Sequence, residues 1–172
     1  KLAKERELSF RLSDDPARLD ADIDVLFQLH NERWSGESGA LREQRAAFHR
    51  EFARVALERG WLRLWLLELE GRPAAALYGL RYGGRELYYQ AGRDPDLDRA
   101  AVGFVLLVHS VREAFNDGLA AYDFLRGGEE YKDRFTDDDT VVETWAAGHG
   151  ALGRATVAVA PRMRSVLASR LR

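Results

Sequence analysis

Trp61-Leu62-Arg63-Leu64-Trp65-Leu66-Leu67-Glu68-Leu69-Glu70 is followed, across Gly71-Arg72, by Pro73-Ala74-Ala75-Ala76-Leu77-Tyr78-Gly79-Leu80-Arg81-Tyr82. Across Gly83-Gly84 a third run follows, Arg85-Glu86-Leu87-Tyr88-Tyr89-Gln90-Ala91-Gly92. Each run is rich in aromatic and aliphatic residues, and Gly71-Arg72 and Gly83-Gly84 punctuate them at hairpin spacing. The stretch predicts a three-stranded antiparallel meander, and the rest of the chain is arranged around it.

Upstream, Glu7 to Leu12 reads as a short strand. Asp15-Pro16 signals a helix start, with an acidic cap before a proline at the first helical position. Leu19, Ile23, Leu26, Phe27, His30 and Trp34 keep helical spacing to about Trp34. After a loop at Ser35–Gly39, a second helix is expected from Ala40 to Arg59, with Phe48, Phe52 and Val55 on its buried stripe and Gly60 ending it. Downstream, Arg93–Asp98 reads as a loop and Val102–Asp117 as a helix whose packed side is Phe104, Leu107, Val108, Val111, Ala114 and Phe115. Gly118 stops it. Leu119–Leu125 is a strand expected to lie parallel to Glu86–Ala91, because a helix joins the two. Thr140–Ala147 reads as a further strand and Val157–Leu171 as a terminal helix, bent at Pro161. The order β-α-α-β-β-β-α-β-β-α predicts one mixed α/β (α+β) domain over 1–172, a mostly antiparallel central sheet flanked by helices.

Bulk properties narrow the function classes. The 172 residues suffice for one domain with a real core, and 46% hydrophobic with 31% charged residues is ordinary for a globular protein. A net charge of −2 argues against a general nucleic-acid binder. The arginine-rich stretches at Arg42–Arg50 and Arg154–Arg172 read as solvated helix faces. With no cysteine, thiol nucleophiles, disulfides and cysteine-ligated metals are excluded. No apolar run approaches the ~20 residues that span a bilayer, and no signal-peptide pattern opens the chain. A cytoplasmic location is the expectation. The first residue is Lys1, which suggests a trimmed chain, such as the C-terminal half of a longer protein. The four histidines show no metal-ligand spacing, so no metal is expected.

Three places carry candidate chemistry. The start of the third helix, with Arg99, Ala101, Val102, Gly103 and Phe104, offers backbone N–H groups that have no intrahelical partner and the positive end of a helix dipole. Small side chains and a neighbouring arginine suit such a turn to phosphate. The plain alternative is that Asp98 caps this helix and Gly103 packs against the sheet. Gln90-Ala91-Gly92 ends a strand; if that strand splays from its parallel neighbour, its N–H groups can polarise a carbonyl. Asp123 is an acid in an apolar strand, either a general base or half of an ion pair with Lys132 or Arg126. Glu129, Glu130, Tyr131 and Lys132 follow on a turn, Lys132 being the only lysine away from the N-terminus.

Taken together, these residues resemble the GNAT (Gcn5-related) N-acyltransferase family. More narrowly the chain is similar to the CelD/BcsL-type acetyltransferases associated with bacterial cellulose and exopolysaccharide genes, which are related to FemAB-like proteins. The matching pieces are Leu29-His30 with Arg33-Trp34, Leu67 to Ala75, Tyr88 to Pro95, and Asp123 to Gly127 with Tyr131-Lys132. Where that group has Ser-Pro-Gly at the third helix, this chain has Ala101-Val102-Gly103. The resemblance implies transfer of an acyl group, acetyl above all, from a CoA thioester to an amine of a small molecule, sugar or peptide. It places the pyrophosphate at Arg99–Phe104 and the thioester at Gln90, Ala91 and Gly92. It makes Asp123 or Glu130 the base and Tyr131 the acid, with Lys132 orienting a substrate anion. Two alternatives stand beside it: a FemAB-like transferase using aminoacyl-tRNA, and a non-catalytic scaffold or acyl-CoA sensor. Exposed sheet edges also allow a homodimer.

Overall fold

The computed structural model describes residues 7–34 and 43–136, together with 143, 145, 147–150, 153 and 157. The chain forms two compact units, Lys1–Gly127 and Gly128–Arg172. The first contains β1 (Leu8–Leu12), α1 (Leu19–Trp34), α2 (Glu43–Glu58), β2 (Leu62–Leu69), β3 (Arg72–Tyr82), β4 (Arg85–Arg93), α3 (Val102–Asn116) and β5 (Ala121–Asp123). The five strands form one sheet in the order β1-β2-β3-β4-β5. All neighbours are antiparallel except β4 and β5, which run parallel as the intervening helix requires. The loop expected at Ser35–Gly39 lies outside the described residues. So do most of the strand expected over Thr140–Ala147 and of the helix over Val157–Leu171.

Both hairpins turn on two residues of positive φ, Glu70 (52°) with Gly71 (74°) and Gly83 (59°) with Gly84 (74°). This twist matches that of the strands it joins. The first turn lies one residue earlier than the sequence suggested, because Arg72 already pairs with Leu69. At the other end, Asp15 caps a turn by accepting the Ala17 N–H at 2.8 Å, and regular helix begins only at Leu19.

Register assigns the two faces of the sheet. Leu64 pairs with Tyr78, so these two share a face, while Trp65 pairs with Leu77 on the opposite one. Leu62, Leu64, Leu66, Ala76 and Tyr78 pack with Leu19, Ile23, Leu26 and Phe27 of α1 and Ala53 and Ala56 of α2. On the other face His109 of α3 stacks on Phe10, ring centroids 3.9 Å apart, and meets Trp65 edge to face at 4.8 Å. Helices α1 and α2 therefore cover one side and α3 the other.

Two expected stripes are rotated. In α2 the buried positions are His49, Ala53 and Ala56, and Phe48 is 63% exposed. In α3 they are Val102, Leu106, Leu107, Ser110 and Ala114, with Phe115 81% exposed. In α2 two of the three buried positions are alanine, whereas α3 buries Val102, Leu106 and Leu107 beside Ser110 and Ala114, keeping Leu107 and Ala114 of the expected stripe.

Candidate functional site

The parallel ladder between β4 and β5 is short. It pairs Arg85 with Ala121, Glu86 with Tyr122 and Leu87 with Asp123, where β5 ends. The Asp123 carboxylate accepts the Leu125 N–H at 2.8 Å, and Leu125 takes φ of 54°. This turn diverts the chain from its neighbour, whereas β4 runs on through Tyr88 to Arg93. Within the first unit β4 thus outruns β5 by six residues, Tyr88 to Arg93, and the two strands part as the sequence reading required.

Strand β4 also carries a bulge. Tyr78 pairs with Gln90 and Gly79 with Tyr88, so Tyr89 is an extra residue. Beyond it the Asp94 N–H donates to Ala74 O at 2.9 Å, which sets the phase of the ladder. Gln90, Gly92 and Asp94 turn their backbone groups toward β3, and Ala91 and Arg93 turn theirs toward the opening. Consistently, the Ala91 carbonyl lies 3.1 Å from His30 Nδ1 of α1. Of Gln90, Ala91 and Gly92, the one whose N–H faces the opening is Ala91. Gly92 is there for another reason: a Cβ on it would lie 2.3 Å from His30 N and 2.5 Å from Leu29 C. The close neighbour that glycine makes room for is the backbone of α1.

The connection to α3 is not open loop. Pro95–Ala100 is a 3-10 helix, capped by Asp94 through the Asp96 N–H at 2.9 Å. Ala101 then adopts the left-handed conformation, φ 51° and ψ 36°, and is the N-cap of α3 without a side-chain capping bond. Asp98 does not cap with its carboxylate, which pairs with Arg93; its carbonyl accepts the Ala101 N–H at 3.0 Å. Gly103 faces Arg93, whose Cδ would lie 3.1 Å from an added Cβ. Burial lowers the Arg93 pKa, and the charge of Arg33 adds to this. The first turn of this 15-residue helix has no side-chain cap, and helix starts of this kind favour anions.

The expected catalytic group is divided between the units. Asp123 lies in the first, where its recorded cation neighbour is Arg85 at 4.0 Å. Its carboxylate shapes the turn, so Asp123→Asn, which keeps the accepting oxygen, should melt within about 0.5 kcal/mol of wild type, while Asp123→Ala should lose about 1 kcal/mol. Equal melting of both variants in denaturant titrations would rule this role out. Glu130, Tyr131 and Lys132 belong to the second unit. There Lys132 Nζ pairs with Glu129 at 2.7 Å and opens a short 3-10 helix, Lys132–Arg134.

Two histidines report on acidity. Burial lowers the pKa of His30, Arg33 adding to the effect and the Ala91 carbonyl opposing it. Burial also lowers that of His109. Unfolded histidines titrate near 6.5, so below that pH the unfolded chain binds more protons than the folded one. The stability contributed by these neutral rings is complete above about pH 6.5 and is lost as pH falls through the folded values. Thermal unfolding should show Tm falling on acidification from pH 6.5 to 5, and His109→Gln should flatten the decline. A flat wild-type profile over that range would contradict it.

Among the described residues no helix is long and apolar enough to cross a membrane, and no group of three or more His, Asp or Glu is placed to hold a metal. No curated protein matches the sequence. Solved structures match the fold. A GCN5-related N-acetyltransferase from Ralstonia eutropha JMP134 is 16% identical, covering 83% of this chain and 100% of its own, with a TM-score of 0.61. An aminoglycoside acetyltransferase from an uncultured soil metagenomic sample, in complex with trehalose, is 12% identical over 87% of this chain and 100% of its own, TM-score 0.58. A GNAT family acetyltransferase from Brucella melitensis in complex with acetyl-CoA is 14% identical over 75% and 81%, TM-score 0.56. Residues 1–133 match the family described as "Acetyltransferase (GNAT) domain", which takes in the whole five-stranded sheet, the parting of β4 from β5 and the first turn of α3. On that match the chain belongs to the GNAT acetyltransferase domain family.

Proposed function

We propose that this chain transfers an acyl group, acetyl foremost, from an acyl-CoA to an amine of a small-molecule, sugar or peptide acceptor. One observation carries the reading: the uncapped first turn of α3 lies beyond the end of β4, and β4 has just turned the Ala91 N–H toward a gap left by β5. The amides at 102–104, with Arg93 and Arg99 nearby, suit a pyrophosphate. The Ala91 N–H suits the oxygen of a thioester lying between the strands. When bound, the thioester supplies an activated acyl carbon; the chain's task is to hold it in line with the amine and exclude water. The narrower kinship with CelD/BcsL-type proteins rests on Tyr88 to Pro95 and Asp123 to Gly127 and belongs to the proposal, as do Asp123 or Glu130 as base and Tyr131 as acid.

Ligand-dependent unfolding tests this. Acetyl-CoA at 100 times its dissociation constant should add about 2.7 kcal/mol of stability, with release of free thiol on adding an amine. Aminoglycosides head the acceptor panel, because neighbours of this fold include aminoglycoside acetyltransferases. Stabilisation without thiol release would indicate a sensor. Stabilisation by aminoacyl-tRNA alone would indicate the FemAB-like reaction, and no shift with any donor would leave a scaffold.

A further inference from the structure

His30 of α1 touches the strand edge beside the gap. It is 0% exposed, and its Nδ1 lies 3.1 Å from the Ala91 carbonyl of β4. A carbonyl oxygen only accepts, so Nδ1 is the nitrogen that carries the proton and donates. Burial lowers the pKa of this ring and keeps it neutral at pH 7, in the Nδ1–H tautomer. The main chains are equally close: a Cβ added to Gly92 would stand 2.3 Å from His30 N. Helix and strand meet backbone to backbone, which delivers the imidazole to one fixed place on the edge.

The edge itself gives that contact its meaning. A residue of an antiparallel strand sends its N–H and C=O to the same side, and at Ala91 both point away from β3. Among the described residues no strand pairs with that edge of β4 beyond Leu87. Two backbone groups that a neighbouring strand would ordinarily satisfy are left over, and shielded backbone groups need partners. His30 supplies a donor for the carbonyl. A protonated Nδ1 cannot also accept, so it supplies nothing for the amide. The acceptor of Ala91 is thus held by the protein while its donor is left for a ligand. A bare carbonyl would set its negative end, or a water bound to it, beside any oxygen gaining charge at that amide.

We propose that His30 is a positioning residue for acyl transfer: by holding the Ala91 carbonyl it aims the Ala91 N–H at the thioester oxygen and keeps water from the same edge. This rests on the acyltransferase reading. The lone pair of a neutral amine bonds to the acyl carbon, and the carbonyl π pair moves onto oxygen, where the Ala91 N–H meets it. The pair returns, the carbon–sulfur bond breaks, and the thiolate leaves with its electrons. The nitrogen gives one proton to solvent and the thiolate takes one, so the products are amide and thiol. His30 transfers no proton and touches no reacting atom. Its contribution is alignment, where a misplacement of about 1 Å can cost on the order of 10²-fold.

The test compares His30→Leu, which fills the space without a donor, with His30→Asn, whose side-chain N–H stands where Nδ1 stood. Affinity for coenzyme A, kcat and KM for an amine, and the carbonyl stretch of bound carbon-13-labelled acetyl-CoA are measured on the full chain. His30→Leu should bind coenzyme A as wild type does and lose about tenfold in kcat, short of the roughly 10²–10³-fold that deleting an oxyanion donor costs. The stretch, lowered by the amide in wild type, should return toward its value in free acetyl-CoA. His30→Asn should restore most of the rate and the lowered frequency. If His30→Leu does not fold, His30→Gln replaces it, since its side-chain N–H falls at the Nε2 position and not at Nδ1. Wild-type rate and frequency in the variant lacking the donor would overturn this proposal and leave the acyltransferase reading intact. Equal losses in His30→Asn would also overturn it, making His30 a packing residue alone. A wild-type chain that binds no acyl-CoA would overturn both.

Discussion

Replacing Gly92 by alanine is expected to cost about 3 kcal/mol or more, at the upper end of what overpacking a core does. The new Cβ would stand 2.3 Å from His30 N, 2.5 Å from Leu29 C and 2.8 Å from Leu29 Cβ. Two of these three are backbone atoms of a helix, so no rotamer change relieves the clash and α1 must lift from β4. Lifting it also breaks the contact between His30 Nδ1 and the Ala91 carbonyl, which holds the strand edge beside the gap. For a chain of this length the loss corresponds to roughly 6–12 °C in Tm. Gly103→Ala is the control. Its Cβ meets only the stem of the Arg93 side chain, Cδ nearest at 3.1 Å and no backbone atom, and alanine favours helix by up to about 1 kcal/mol. Differential scanning calorimetry of the two variants decides the matter: melting of Gly92→Ala within about 2 °C of wild type would mean that α1 does not rest on β4 there.

Ala101→Asp should move stability and ligand affinity in opposite directions. Ala101 is left-handed without being glycine, at some cost, and it caps α3 with no side chain. Aspartate tolerates that conformation better, can accept an amide of the first turn, and places a negative charge at the positive end of the dipole. Capping of this kind contributes about 1 kcal/mol, so Tm should rise by roughly 2–4 °C. The same carboxylate would occupy and repel from the amides proposed for pyrophosphate. Acyl-CoA affinity should fall at least tenfold, about 1.4 kcal/mol by calorimetric titration. Asparagine at this position should cap equally and weaken binding less, since it brings no charge. Undiminished acetyl-CoA binding by a stabilised Ala101→Asp would place the phosphates elsewhere.

Much of this architecture was legible in one dimension. Gly71 and Gly83-Gly84 between apolar runs mark hairpins because glycine readily takes the positive φ angles of such turns, and a helix between Gln90 and Tyr122 requires those strands to be parallel. The helix stripes were less legible. A sequence shows which residues are apolar but not how a helix is rotated on its sheet: α2 buries Ala53 and Ala56 and leaves Phe48 exposed, and α3 buries Leu106, Ser110 and Ala114 and leaves Phe115 exposed. Asp123 was read as a base or as half of an ion pair with Lys132 or Arg126; folded, its carboxylate lies 4.0 Å from Arg85 and accepts the Leu125 N–H where the strand ends. His49 showed no partner along the chain, because the Tyr78 and Tyr89 rings come to it from two other elements.

Within the first unit, local patterning settled the main helices and strands, their order and the place where α3 begins, since turns, caps and periodicity act over a few residues. Which β4 amide faces the gap, why Gly92 must lack a side chain, and which rings meet beneath α2 were decided only by tertiary contact. Each depends on register and helix height, which arise from packing between segments tens of residues apart.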